Sequence, residues 1–274
     1  MSILPAPPST ASAVGAARYA AGMTSYHRRY ADGEHEAVWA ELRALGPVPD
    51  ALREDVAAVA ESTMLRADRQ IGRIEEQLAG LGFVPAWLVR ERPTGDCLAA
   101  LDRLAAEIGR LPAAYEAGLR VLGGVSFVGD CAALGLGHRY PAAAGPPRHV
   151  APLYPDPLWL PSVECLREEW EEYRKDAGEY PDLPPEDGFH QGFPDTPHRA
   201  DGPRRANVSG AGFDLALPDD CADPVVDGVG GRPGITLVGY LRTSIAWGGF
   251  PGWSFAAPER VPPALAALRA RPDF

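Results

Sequence analysis

The chain has 274 residues, 46% hydrophobic and 23% charged, the balance of an ordinary globular protein with enough length for one large domain or two small ones. Its net charge of −11 excludes non-specific binding to nucleic acid, which depends on positive charge against phosphate, and leaves a basic partner open. No uninterrupted apolar run approaches the ~18 residues of a membrane span, so no membrane association is expected.

Lysine occurs once, at Lys175, amid an excess of Ala, Gly, Pro and Arg, the imprint of a high-GC bacterial genome. The N-terminus lacks a basic region followed by a continuous apolar stretch, so no signal peptide is expected. Cys97, Cys131, Cys165 and Cys221 are widely spaced, with no CxxC pair to suggest a zinc knuckle. Together these features predict a reduced, cytoplasmic protein.

Residues 1–33 are expected to form a flexible N-terminal segment, loosest over the Pro, Ser and Ala of 1–12. A helix is predicted from Glu34 to Leu45, with Val38, Leu42 and Leu45 on one face and Gly46-Pro47 ending it. Between 50 and 81, Leu52, Val56, Val59, Thr63, Ala67, Ile71, Ile74, Leu78 and Leu81 recur in steps of three and four. That spacing predicts one long amphipathic helix, with a candidate break near Ser62-Thr63 and an end at Gly80 and Gly82.

Phe83 to Val89 reads as an apolar connector or short strand, and a helix follows from about Asp96 to Gly109. Pro112 suits the first turn of the next helix, whose Tyr115, Leu119 and Leu122 share a face. Gly123-Gly124 should stop that helix and turn the chain into the alternating strand Val125 to Val128.

Residues 131–161 read mostly as loop, with a short edge strand at 155–160, and a helix follows from Ser162 to about Lys175. The Pro- and Gly-rich stretch 176–203 predicts a long loop. Strands are expected at 206–209, 213–217 and 224–227, with a turn at 209–212, then a helix at 235–247 closed by Gly248-Gly249. A last helix is expected at 262–270.

Helices thus dominate the first half, and strands mix with helices afterwards. That segregation predicts an α+β fold, an antiparallel central sheet with packed helices and a helix-rich N-terminal part. The missing βαβ alternation counts against Rossmann and barrel architectures.

Few motifs carry chemistry. The glycines of Gly123-Gly124 close a helix instead of opening one, so no phosphate cradle is expected there. No HExxH or GxSxG motif occurs. The candidate metal or acid–base cluster is His190, Asp195, His198 and Asp201, because imidazole and carboxylate together bind zinc or relay protons. Its spacing matches no established ligand pattern, and a solvated loop would look the same. Trp247-Gly248-Gly249-Phe250-Pro251-Gly252-Trp253 reads either as core packing at a helix end or as an aromatic recognition surface. On the second reading Asp130, Trp159, Trp247, Phe250 and Trp253 are the candidate partner-binding residues.

The run Leu111-Pro112, Tyr115, Leu119, Gly123-Gly124 and Phe127 resembles the LP…GG signature of the SUKH superfamily, the SMI1/KNR4-like proteins. Asp156-Pro157-Leu158 and the helix at 235–247 are similar in placement to further elements of that family. The strand ANVSG at 206–210 and the ending WGGFPG at 247–252 resemble a group of bacterial proteins. The resemblance covers roughly residues 90–255. It implies a single SMI1/KNR4-like α+β domain over 34–274, with 34–89 as an N-terminal helical elaboration.

It also implies a non-enzymatic protein-binding module with no cofactor, of the kind that serves bacteria as immunity proteins against toxins. The net charge of −11 would suit a basic toxin. The alternative expectation is a metal-dependent enzyme using the 190–201 loop.

Overall fold

The computed structural model describes residues 25–136, 157–179, 188–193, 213–226 and 235–274. The first helices among the described residues are α1 (Tyr26–Ala31), where a flexible segment was expected, and α2 (His35–Ala44). The Ser25 hydroxyl accepts from Arg28 N–H, and the Asp55 carboxylate accepts from the N–H groups of Tyr26 and His27 at 2.6 and 3.0 Å. These bonds satisfy amides that a helix N-terminus leaves without partners. Tyr26 and Tyr30 then bury themselves in the core, so 25–33 belongs to the fold.

The organising element is α3 (Arg53–Gly80), the one long helix expected, unbroken over 28 residues. Thr63 stays helical because its hydroxyl donates to the Val59 carbonyl at 2.8 Å and accepts from Trp39 Nε1 at 3.1 Å. The predicted apolar stripe is the buried face: Val56, Val59, Ala67 and Ile71 are fully enclosed. Along it pack α1, α5 (Ala113–Val121) and α7 (Leu237–Ala246). Between α3 and α5 in chain order comes α4 (Gly95–Ile108), capped by the Thr94 hydroxyl.

Among the described residues the strands form three small antiparallel sheets in place of one continuous sheet. β1 (Val84–Pro85) pairs with β4 (Gly129–Asp130). β2 (Arg90–Glu91) pairs with β3 (Gly124–Ser126), which pairs on its other side with β5 (Trp159–Leu160). β6 (Phe189–Phe193) pairs with β7 (Phe213–Leu217) over five residues, from Phe189 opposite Leu217 to Phe193 opposite Phe213. The expected loop at 176–203 therefore contains a strand. The edge strand and helix expected around 155–175 appear as β5 and α6 (Val163–Glu179). Trp170 and Tyr173 of α6 stack on each other, and Phe189 of β6 meets Trp170 edge-on and Tyr173 at a tilt.

Gly123-Gly124 is the predicted corner. Gly123 has φ +62°, and a Cβ there would strike the Glu91 carbonyl of β2. Only glycine lets the end of α5 approach β2 so closely. The expected helix at 262–270 is instead a 3₁₀ turn, Pro263–Ala267, within a proline-rich tail. The strand expected at 206–209 and the turn at 209–212 lie outside the described residues. The architecture is α+β with a helix-rich N-terminal part.

Candidate functional site

Phe250 is fully buried and Trp253 is 6% exposed, so neither forms part of a recognition surface. The cause is local. Gly248 and Gly249 take φ +63° and +89°, which turns the chain inward after α7. Phe250 then packs against Phe127, with ring centroids 6.3 Å apart, and Gly249 C=O accepts from Leu158 N–H at 2.7 Å.

Trp247 is half-buried beneath the Arg269 guanidinium, 4.1 Å from its ring centroid. Trp159 is half-buried on β5, its backbone N–H bonded to the Tyr240 hydroxyl at 3.1 Å. The structure thus gathers these aromatic residues into a core seam between β5 and the end of α7.

Asp130 lies elsewhere, on β4 opposite Val84. Beside it is the stretch that the sequence presents as an apolar connector or short strand. On β1 and in the turn that leads from it to β2, Val84, Trp87 and Leu88 are 55, 49 and 72% exposed. Three of the five large exposed hydrophobic residues among those described fall in this one stretch. The turn is held firmly from below, because Ala86 N–H donates to Val128 C=O at 2.9 Å and Phe83 N–H to Leu78 C=O at 3.1 Å. Its signal in the sequence was Trp87-Leu88 between two short strands with no periodic partner to cover them.

Of the candidate metal cluster, only His190 lies among the described residues; Asp195, His198 and Asp201 fall outside them. His190 sits on β6 with Nδ1 3.4 Å from Asp214 Oδ1 on β7. Among the described residues no three His, Cys, Asp or Glu side chains are grouped to hold a metal ion.

The other prominent feature is a cleft of about 490 Å³ between α3, α4, α5 and the segment 219–221. Val56, Ala57, Leu98, Leu111, Ala117 and Val121 give it apolar walls. Charged groups line its rim in two networks. In the first, Arg53 and Arg110 are shared between Asp50 and Asp220, with contacts from 2.7 to 3.4 Å. Burial opposes ionisation of Asp220, but hydrogen bonds from both arginines hold its carboxyl below the usual carboxylate range. In the second, Arg120 is held by Glu116 at 2.8 Å and Asp102 at 2.6 Å.

The Cys221 thiol also lines the cleft, donating to Asp219 Oδ2 at 3.0 Å. Burial and this carboxylate push its pKa far up, so it remains a thiol and is a poor nucleophile. The cleft can therefore hold an apolar body but offers no activated nucleophile. Nothing in the sequence announced it, because Arg53 and Asp220 meet across 167 positions.

No helix among the described residues is long and apolar enough to cross a membrane. No protein-family model, curated protein or solved structure matches this chain.

Proposed function

We propose that this chain is a non-enzymatic protein-binding module, a cytoplasmic bacterial immunity protein whose partner is a basic toxin. The observation that carries the reading is the apolar turn of Val84, Trp87 and Leu88 beside Asp130, exposed on a firmly held sheet edge. Clustered apolar exposure with an acidic neighbour is the composition of a protein interface with an aromatic anchor. The net charge of −11 favours a basic partner and speeds its approach. The LP…GG resemblance at 111–124 points the same way.

The test is co-expression with a toxin encoded beside this gene. The parent protein should protect the host cell. The Trp87→Ser/Leu88→Asp double variant should fold with an unchanged melting temperature and lose protection, with affinity down at least ~30-fold. Full protection by a folded double variant would remove this turn as the interface. Absence of protection by the parent against every neighbouring toxin would remove the immunity reading.

The metal-dependent alternative has in its favour the approach of His190 to Asp214. Two side chains across a strand pair carry it less far than the exposed turn carries the binding reading.

A further inference from the structure

The cleft between α3, α4 and α5 is separate from the apolar turn, and its chemistry selects a ligand class. We infer that it binds a small amphiphilic cation, an apolar chain or ring ending in an ammonium or guanidinium group.

The size comes first. A volume of about 490 Å³ lies within the range of small-molecule sites and exceeds what one inserted side chain would fill. The walls come second. Val56, Leu98, Leu111 and Val121 present hydrocarbon, and removing a ligand's apolar surface from water supplies the affinity.

The sign of the charge comes third. Both lining arginines are already engaged. Arg53 donates to Asp50, to Asp220 and to the Val48 carbonyl. Arg120 faces two carboxylates, Glu116 and Asp102, so its network keeps an excess negative charge. Glu61 adds a further carboxylate at the mouth, on the exposed edge of α3. An anionic headgroup would have to displace these carboxylates from their arginines. A cationic one completes the count and has Glu61 at the mouth to meet it.

Isothermal titration of the purified full chain with octylammonium, octan-1-ol and octanoate tests the assignment, since the three probes share a tail and differ in head charge. Octylammonium should bind saturably at one site, at least ~5-fold more tightly than octan-1-ol, and octanoate should be weakest. Glu61→Gln should weaken octylammonium by roughly three- to five-fold and leave octan-1-ol unchanged. Ala57→Trp, at an exposed wall position, should obstruct the cleft and abolish binding of all three with the far-ultraviolet spectrum unchanged. Equal affinity for octanoate and octylammonium would overturn the charge assignment. Binding that survives in a folded Ala57→Trp protein would overturn the location, and absence of saturable octylammonium binding would overturn the site.

Discussion

At the scale of single residues, two glycines of the same conformational class predict different costs. Gly123 and Gly82 both have positive φ, +62° and +77°. A Cβ at Gly82 meets nothing within 4 Å, whereas one at Gly123 meets the Glu91 backbone and the Pro93 ring. Gly82→Ala should cost about 1 kcal/mol, the left-handed penalty alone. Gly123→Ala should cost at least about 2 kcal/mol, because overpacking is added and a backbone carbonyl cannot swing aside. Denaturant unfolding of the two variants checks the difference, and equal losses would refute it. The corner itself was legible in the sequence, since a glycine pair after a helical run has a local cause. The contact with Glu91 was not legible, because it depends on how β2 and β3 pair. Phe250 and Trp253 show the same limit. Their sequence neighbours allowed burial or display, and packing against Phe127 decided the matter for Phe250.

At the scale of elements, periodicity over many turns is what the sequence displays best. The stripe on α3 repeats for 28 residues, and every predicted inward position from Val56 to Leu78 is buried. Ile71, fully enclosed, should cost about 2–5 kcal/mol as Ile71→Ala. Leu65, on the same helix but 46% exposed, should stay within about 0.5 kcal/mol of the parent as Leu65→Ala. Comparable losses at both positions, read from the same unfolding curves, would contradict the assigned face. β7 stands where a strand was expected, at 213–217, but its partner β6 was illegible for the opposite reason. Five residues hold barely two periods of alternation, and FHQGF lies among prolines that argue for loop. Its pairing is set by a partner more than twenty positions away and by the aromatic side chains of α6. The tail at 262–270 was misread because its prolines open 3₁₀ turns as readily as α-helices.

At the scale of the whole molecule, ion pairs tie distant parts of the chain together. Arg53 and Arg110 both hold Asp220, and Arg43 holds the buried Asp223 at 3.1 Å. Asp220 has its folded pKa depressed by its arginines, so its contribution is present above the unfolded carboxylate value of about 3.9. That contribution fades as pH falls through the lower folded value. Asp220→Asn should therefore cost about 1 kcal/mol near neutrality, a figure discounted because the side chain is 32% exposed, and nearly nothing near pH ~2. Unfolding free energies of parent and variant across this pH range would show the gap closing. A gap independent of pH would mean that the carboxylate charge plays no part. The cleft that this network borders was invisible in the sequence, because its walls come from segments around 48–61, 98, 111–121 and 220. The α+β class was visible, because it depends on the order of elements and not on their contacts.

The hold on the last residues has a consequence for synthesis. Gln70 in the middle of α3 donates to the Arg271 carbonyl at 2.9 Å, and Arg66 donates to that of Asp273 at 3.1 Å. α7 packs on the same helix. A ribosome finishes α3 long before it makes these covers, since Gln70 and Arg271 are 201 positions apart. α1 and α5 can cover part of this face early, but the share covered by α7 and by residues 271–273 stays open until those segments have been made. A core closed by contacts this distant in sequence pays a large loop-closure cost and forms late in folding.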